Sequence, residues 1–145
     1  MMVETSICVY ALALFVNEKN EILLSYRENT KFFEHHYGLI GGKIENNESI
    51  KSALTRELQE ELRINVLPEN MEFKHVMHFK GEQKPCMFFI FAIKEWQGDI
   101  TNRELDKNAE LKWFPWTSLP ENIIPRHLKA LQLIQQNSMY SESNW

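Results

Sequence analysis

A chain of 145 residues that is 43% hydrophobic and 12% aromatic has enough apolar material for one core of ordinary size, and too much to stay disordered. Its 20 acidic residues outnumber the 16 basic ones and leave a formal charge of −4. That balance disfavours a long nucleic acid as partner but admits a small polyanion whose charge metal ions offset. Cys8 and Cys86 form no metal or redox spacing and read as two core thiols of a reducing cytosol. The apolar run from Ile7 to Val16 is about half the length of a membrane-spanning helix. It is preceded by Glu4 rather than a basic segment, so neither a signal peptide nor a membrane partner is expected, and the expected location is cytoplasmic.

In chain order, Thr5 to Val16 is rich in β-branched and aromatic residues and reads as a buried strand. The Asn17 to Asn20 cluster is a turn, and Glu21 to Arg27 is a second strand, so the two are expected to form a hairpin. Glu28 to His36 has no clear period and reads as a loop; Tyr37 to Ile40 is a short extended segment that enters the pair Gly41 and Gly42. A helix is expected from Glu48 to Leu62, capped by Asn46 or Asn47, with Glu48 suited to its positive end. Ile50, Leu54, Leu58 and Leu62 repeat at i+4 and form its packed stripe. Ile64 to Leu67 reads as a short strand stopped by Pro68. Further strands are expected at Met71 to Phe79, Met87 to Ile93 (the most apolar run, hence central) and Leu111 to Trp116, with turns at Gly81 to Pro85 and Trp96 to Asn102. Arg126 to Gln135 is an amphipathic helix with Leu128, Leu131 and Ile134 inward, and the polar tail from Gln136 to Trp145 is expected to fray. With no repeat or linker, the chain reads as one domain over residues 1–145. Six or seven strands and two helices make a mixed sheet flanked by helices, α/β (α+β) in class.

The first helix carries a local conflict. With Ile50 at the origin of a helical wheel, the leucine stripe covers roughly 0° to 120°, and Glu61 falls at about 20°, inside it. Glu57 lies near about 340° and Glu60 near about 280°, along its border. A helix built for packing alone puts its acids on the opposite face, and Glu57 with Glu61 is a repulsive i, i+4 pair. Either of two arrangements offsets the cost: a salt-bridge network in which Arg56 pairs Glu60 at i+4, or a divalent cation held by clustered carboxylate oxygens. The glycine pair adds to the second, because a backbone without side chains can bring a bare carbonyl close to the helix.

The spacing is Gly42, five residues, Glu48, seven residues, then Arg56-Glu57-Leu58-Gln59-Glu60-Glu61-Leu62-Arg63-Ile64. This resembles the Nudix box, G-x5-E-x7-R-E-U-x-E-E-x-G-U with U aliphatic, and departs from it only at Arg63, where the family has glycine. The resemblance implies an α/β/α sandwich with the box as loop–helix–loop. It implies Mg²⁺ (or Mn²⁺) held by Glu57, Glu60, Glu61 and the carbonyl of Gly41. Arg56 would orient a glutamate and Glu48 would brace the loop. The family reaction is hydrolysis of a nucleoside diphosphate linked to another group, in which metals neutralise the diphosphate and activate water. Glu104 is placed like the extra loop glutamate that serves some members as base or ligand, and Glu110 is the next candidate. If position 63 needs a left-handed backbone, arginine there costs on the order of 1 kcal/mol.

The run GGKIE followed by RELQEE looks most like MutT-type nucleoside triphosphate pyrophosphohydrolases, including those that remove 8-oxo-dGTP. The implied partner is a small nucleotide, with the protein a monomer or homodimer. Asn122 lies where MutT-type enzymes hold a base-reading asparagine. Lys43 and Arg27 are candidates for phosphate, and Tyr37 for the substrate pocket. Trp113, Phe114 and Trp116 read as core before base platform. The five histidines have no zinc spacing. A Nudix hydrolase of ADP-ribose or nucleotide sugars is the alternative enzyme, and a nucleotide-binding Nudix module without catalysis the alternative class.

Overall fold

The structure, a computed structural model, describes residues 4–102 and 108–145, with the side chains of residues 108 and 109 outside that description. The strands are β1 (Cys8–Phe15), β2 (Glu21–Arg27), β3 (Tyr37–Gly38), β4 (Ile40–Lys43), β5 (Glu72–Lys80), β6 (Pro85–Ile93), β7 (Asn108–Pro115) and β8 (Tyr140–Ser143), and the helices are α1 (Ile50–Leu62) and α2 (Pro125–Gln135). A five-stranded sheet has the order β4-β1-β6-β5-β8, and a three-stranded sheet the order β3-β2-β7. The larger sheet is mixed: β1 runs parallel to β6 and antiparallel to β4, and β5 runs antiparallel to β6 and parallel to β8. The expected mixed-sheet α+β class is therefore observed.

The side-chain period of two in β1 divides the interior. Ala11, Ala13 and Phe15 join Leu54, Leu58, Leu62, Phe91 and Ile93 in the core under α1. Leu12 and Leu14 join Ile22, Leu24, Met77, Phe88, Ile90 and Leu131 in the core shared with the smaller sheet and α2. The run at β6 is central, as its apolar character requires, and Leu128 and Ile134 of α2 pack inward beside Leu131.

Three expectations are corrected. β1 and β2 are not a hairpin, because both edges of β1 are taken by β4 and β6, and only Val16 and Ile22 bridge the two. Ile64 to Leu67 is not a strand; Asn65 makes a single bridge to Gln97, and Pro68–Asn70 closes a 3₁₀ turn. The tail does not fray. His75, fully buried, donates from Nδ1 to the carbonyl of Ser138 at 2.8 Å and meets the Ser141 hydroxyl with Nε2 at 2.8 Å. That anchor lays β8 along β5, and Trp145 reaches back to the carbonyl of His78.

Because His75 has no access to water, removing its ring strips the tail of two buried hydrogen bonds. His75→Leu is expected to lower unfolding free energy by about 2 kcal/mol in urea titration, and Ser141→Ala by about 1 kcal/mol. An unchanged midpoint for His75→Leu would remove the histidine as the anchor of β8.

Candidate active site

Helix α1 begins at Ile50, two residues later than expected. Ser49, not Asn46 or Asn47, is the cap: it is extended, and its hydroxyl accepts from the amide of Ser52 at 3.1 Å. Asn47 instead adopts a left-handed turn at φ 66°. Glu48 consequently lies outside the helix, where its carboxylate accepts from the amide of Glu45 at 2.8 Å and braces the loop.

The same carboxylate receives Arg56 in a two-pronged contact, Nε at 2.7 Å and Nη2 at 3.0 Å. Nη1 of Arg56 donates to Glu57 at 3.1 Å and Glu60 at 3.3 Å, and Nη2 reaches the carbonyl of Lys43 at 3.3 Å. One planar fork thus joins β4, the loop and two acids of α1. The pairing pushes the guanidinium above its ordinary range and holds the Glu48 carboxyl below the usual carboxylate range.

The glycine pair is a strand rather than a turn, within β4 and paired to Leu12 and Ala11 of β1. Both positions still demand glycine. Gly41 has φ 152°, and a Cβ there would sit 2.0 Å from the carbonyl oxygen of Ala11. At Gly42 a Cβ would fall 2.4–2.6 Å from all three carboxyl atoms of Glu57. The Glu57 carboxylate lies against bare backbone, and this is the observation that bears on a metal. Glu57, Glu60 and Glu61 are hard oxygen donors at i, i+3 and i+4 on one helix, a set suited to a divalent cation. Among the described residues, no three His, Cys, Asp or Glu side chains are drawn into a ready metal cluster.

Glu61 is half-buried, with Oε2 out of contact with solvent, and its charge acts on Arg27 at the end of β2. Burial pushes the Arg27 guanidinium down, and the charges of Glu61 and Tyr10 oppose that shift. The chain after Arg27 folds back on it: the Arg27 amide donates to His36, the His35 amide donates to Arg27, and Nε reaches the carbonyl of Phe32 at 3.4 Å. Tyr37 and Asn122 then meet through the backbone, with the Tyr37 amide on the Asn122 carbonyl at 2.9 Å. The Asn122 amide Nδ2 donates to the carbonyl of His35 at 3.2 Å. Tyr37 donates its hydroxyl to Glu110 at 2.8 Å and packs edge-on against Phe114; burial and that bond push its pKa up to about 12. Arg27, Tyr37 and Asn122 therefore line one region, while Lys43 stands exposed at the Arg56 end. Glu104 lies outside the described residues. Trp113, Phe114 and Trp116 pack against the cores.

Residues 7–134 match the NUDIX domain family. The chain belongs to the Nudix family. A relative in Homo sapiens, 8-oxo-dGDP phosphatase NUDT18, is 27% identical over 139 residues, which cover 94% of this chain and 41% of that protein. The 8-oxo-dGTP diphosphatase of Haemophilus influenzae is 33% identical over 94 residues, covering 65% of this chain and 68% of that one. Among solved structures, the MutT Nudix hydrolase of Burkholderia pseudomallei superposes with a TM-score of 0.79 at 24% identity, over 88% of this chain and 97% of that one. The MutT protein of Methanosarcina mazei Go1 gives 0.79 at 22%, over 93% and 97%. These structures show the Nudix fold. Among the described residues no helix is long and apolar enough to cross a membrane.

The one departure from the Nudix box has a visible structural effect. Arg63 closes α1 in a left-handed conformation, φ 60° and ψ 34°, its amide on the carbonyl of Gln59. Arg63→Gly is expected to stabilise the fold by about 1 kcal/mol, read as a higher urea midpoint at unchanged slope. An unchanged midpoint would mean that the left-handed arginine carries no strain.

His127, at the start of α2, was not singled out by its sequence. Its Nδ1 accepts from the Leu39 amide at 3.0 Å, and its ring stands edge-on to Phe88. Burial, with the charges of Arg27 and Arg126, pushes its pKa down to about 3. An unfolded histidine titrates near about 6.5. The stability this ring contributes is therefore present above that value and lost as pH falls toward 3. His127→Asn keeps an acceptor for Leu39 but cannot titrate. Unfolding measured from pH 7 to pH 4 should show the wild-type losing stability faster than the variant. Parallel pH profiles would show that the histidine titrates alike in both states.

Proposed function

We propose that this Nudix chain is a Mg²⁺-dependent pyrophosphohydrolase of (d)NTPs, oxidised guanine nucleotides such as 8-oxo-dGTP among them, which yields a nucleoside monophosphate and pyrophosphate. The observation that carries the reading is the Arg56 fork, which holds Glu57 and Glu60 on the face of α1 whose Glu57 carboxylate lies on Gly42. Glu57, Glu60, Glu61 and the Gly41 carbonyl would hold the ion, with Mn²⁺ as a substitute. When bound, the ion supplies neutralisation of the diphosphate and a lowered pKa for the attacking water.

The protein's own groups do the rest. Arg56 fixes Glu57 and Glu60 in position while its own charge is spent on Glu48, so it orients acids and does not compete for phosphate. Arg27, opposite Glu61 and partly desolvated, is placed to meet a phosphate oxygen. The Tyr37 and Asn122 region, tied to the fold-back of residues 28–36, would receive the nucleoside end. Glu104 is the proposed proton acceptor, with Glu110 held by Tyr37. The human and Haemophilus relatives are named for 8-oxo-dGDP and 8-oxo-dGTP, which supports an oxidised guanine nucleotide as one substrate.

A hydrolysis panel with Mg²⁺ tests this. Canonical and oxidised (d)NTPs should release pyrophosphate, and chelation should stop the reaction. Glu57→Gln and Glu61→Gln should each lower kcat by about 100-fold or more while leaving the melting temperature within a few degrees. Full activity in either variant would sink the ligand assignment, and turnover confined to ADP-ribose or nucleotide sugars would sink the substrate class.

A further inference from the structure

Strand β4 lies at one edge of the five-stranded sheet, with β1 as its neighbour. The Ile44 amide donates to the Val9 carbonyl at 3.0 Å, and the register pairs Lys43 with Tyr10, Gly42 with Ala11 and Gly41 with Leu12. An antiparallel ladder bonds every second pair. Gly42 therefore turns its amide and carbonyl toward β1, whereas Leu39, Gly41 and Lys43 turn theirs to the free edge. Two contacts from other elements agree with this alternation. Nη2 of Arg56 donates to the Lys43 carbonyl at 3.3 Å, and the Leu39 amide donates to Nδ1 of His127 at 3.0 Å. The free edge is thus clamped at both ends, from α1 at Lys43 and from α2 at Leu39. The carbonyl between the clamps is that of Gly41. It belongs to the peptide that enters Gly42, the residue against which the Glu57 carboxylate lies.

Several contacts hold the His127 clamp. An amide donor is met only by a ring nitrogen that carries no proton, so the Leu39 bond fixes which nitrogen stays bare. The ring stands edge-on to Phe88, with centroids 5.6 Å apart. Gly38 makes room for it: a Cβ there would fall 2.7 Å from Cδ1 of Ile124 and 3.2 Å from Nδ1 of His127. The residues ahead of the ring are joined to the same segment. The Tyr37 amide donates to the Asn122 carbonyl at 2.9 Å, and the Ile124 amide donates to the Tyr37 carbonyl at 2.8 Å. Leu39 is buried at the step from β3 in the small sheet to β4 in the large one, so water is a poor substitute for the ring. Loss of the ring acceptor leaves that step free to shift, and Gly41, at φ 152°, has no side chain to limit the movement.

We propose that His127 is a positioning residue for the Gly41 carbonyl: by accepting the Leu39 amide, it fixes the free edge of β4 at the end opposite Arg56. The proposal rests on the reading of Gly41 as a metal ligand given above, and its test is independent of turnover. Mn²⁺ alone is titrated into the protein and followed by its electron paramagnetic resonance, and the binding that Glu57→Gln abolishes defines the site. His127→Leu should weaken that binding about 10-fold or more, the usual effect of losing a group that holds a ligand in place. His127→Asn, which keeps an acceptor for Leu39, should stay within about threefold of wild-type. His75→Leu is the control for lost stability alone. It loosens β8 at the opposite edge of the sheet and should leave the Mn²⁺ affinity unchanged. Without metal, hydrogen exchange at the Leu39 amide should quicken in His127→Leu and recover in His127→Asn.

In hydrolysis, His127→Leu should need about 10-fold more Mg²⁺ to reach half its maximal rate, with little change in KM for the nucleotide at saturating Mg²⁺. Wild-type Mn²⁺ affinity in His127→Leu, an equal loss in His75→Leu, or a folded His127→Asn as weak as His127→Leu would each overturn the proposal. So would a wild-type protein with no Glu57-dependent Mn²⁺ binding. Glu57-dependent binding with the expected differences, but no cleavage of any nucleotide, would instead count against the pyrophosphohydrolase reading alone.

Discussion

The contact between Arg56 and Glu48 sets the geometry of everything around it. A guanidinium with its Nε and Nη2 on one carboxylate has a fixed plane, and its remaining Nη1 edge then faces Glu57 and Glu60. The carboxylates repel one another along one helix face, least screened at Glu57, which is largely withdrawn from water while Glu60 is exposed. Arg56 offsets that repulsion while leaving the acids oriented. It also ties the helix to β4 through the carbonyl of Lys43, so the distance between α1 and the glycine strand is held by the same side chain. Gly42 completes the arrangement from the other side, since any Cβ there would overlap the Glu57 carboxyl group.

The placing of the candidate site follows from the division of the interior into two cores. Core packing under α1 fixes the acids against the large sheet, and the second core fixes α2 and the small sheet against its other face. The stretch from Glu28 to His36 closes on Arg27 through its own backbone, with Asn29, Phe33 and His35 all at positive φ. A fold-back built on three such residues is stable only if its contacts repay the strain, and its ties to Arg27, Asn122 and Arg126 are where that repayment is found.

Much of this was legible from residue order. The i+4 leucine stripe located α1, the apolar run located β6, and the acids inside the stripe marked the candidate site. The family departure at Arg63 pointed correctly to a left-handed helix end. Long-range pairing was not legible. Nothing local says that β1 will take β4 and β6 as neighbours and leave β2 to another sheet, because strand composition does not name a partner. The tail looked disordered because Tyr140 to Ser143 is polar. His75, more than sixty residues away, holds it by two hydrogen bonds that no window of sequence contains.

The sequence by itself determined the chemistry that depends on spacing along one helix: which acids share a face, which arginine can reach them, and where glycine is needed. Those relations hold because an α-helix places residues at i, i+3 and i+4 together wherever it lies. Tertiary structure alone decided which groups from distant elements meet, as where the charge of Glu61 on α1 reaches Arg27 at the end of β2. Arg27 and His127 come from β2 and α2, and their proximity is a consequence of sheet order and of two cores packed on opposite faces of one sheet. Ser49 rather than Asn47 as cap, and Glu48 turned toward Arg56, belong to the same class, since the two-pronged pairing of Glu48 with the guanidinium outweighed the local preference for an asparagine cap.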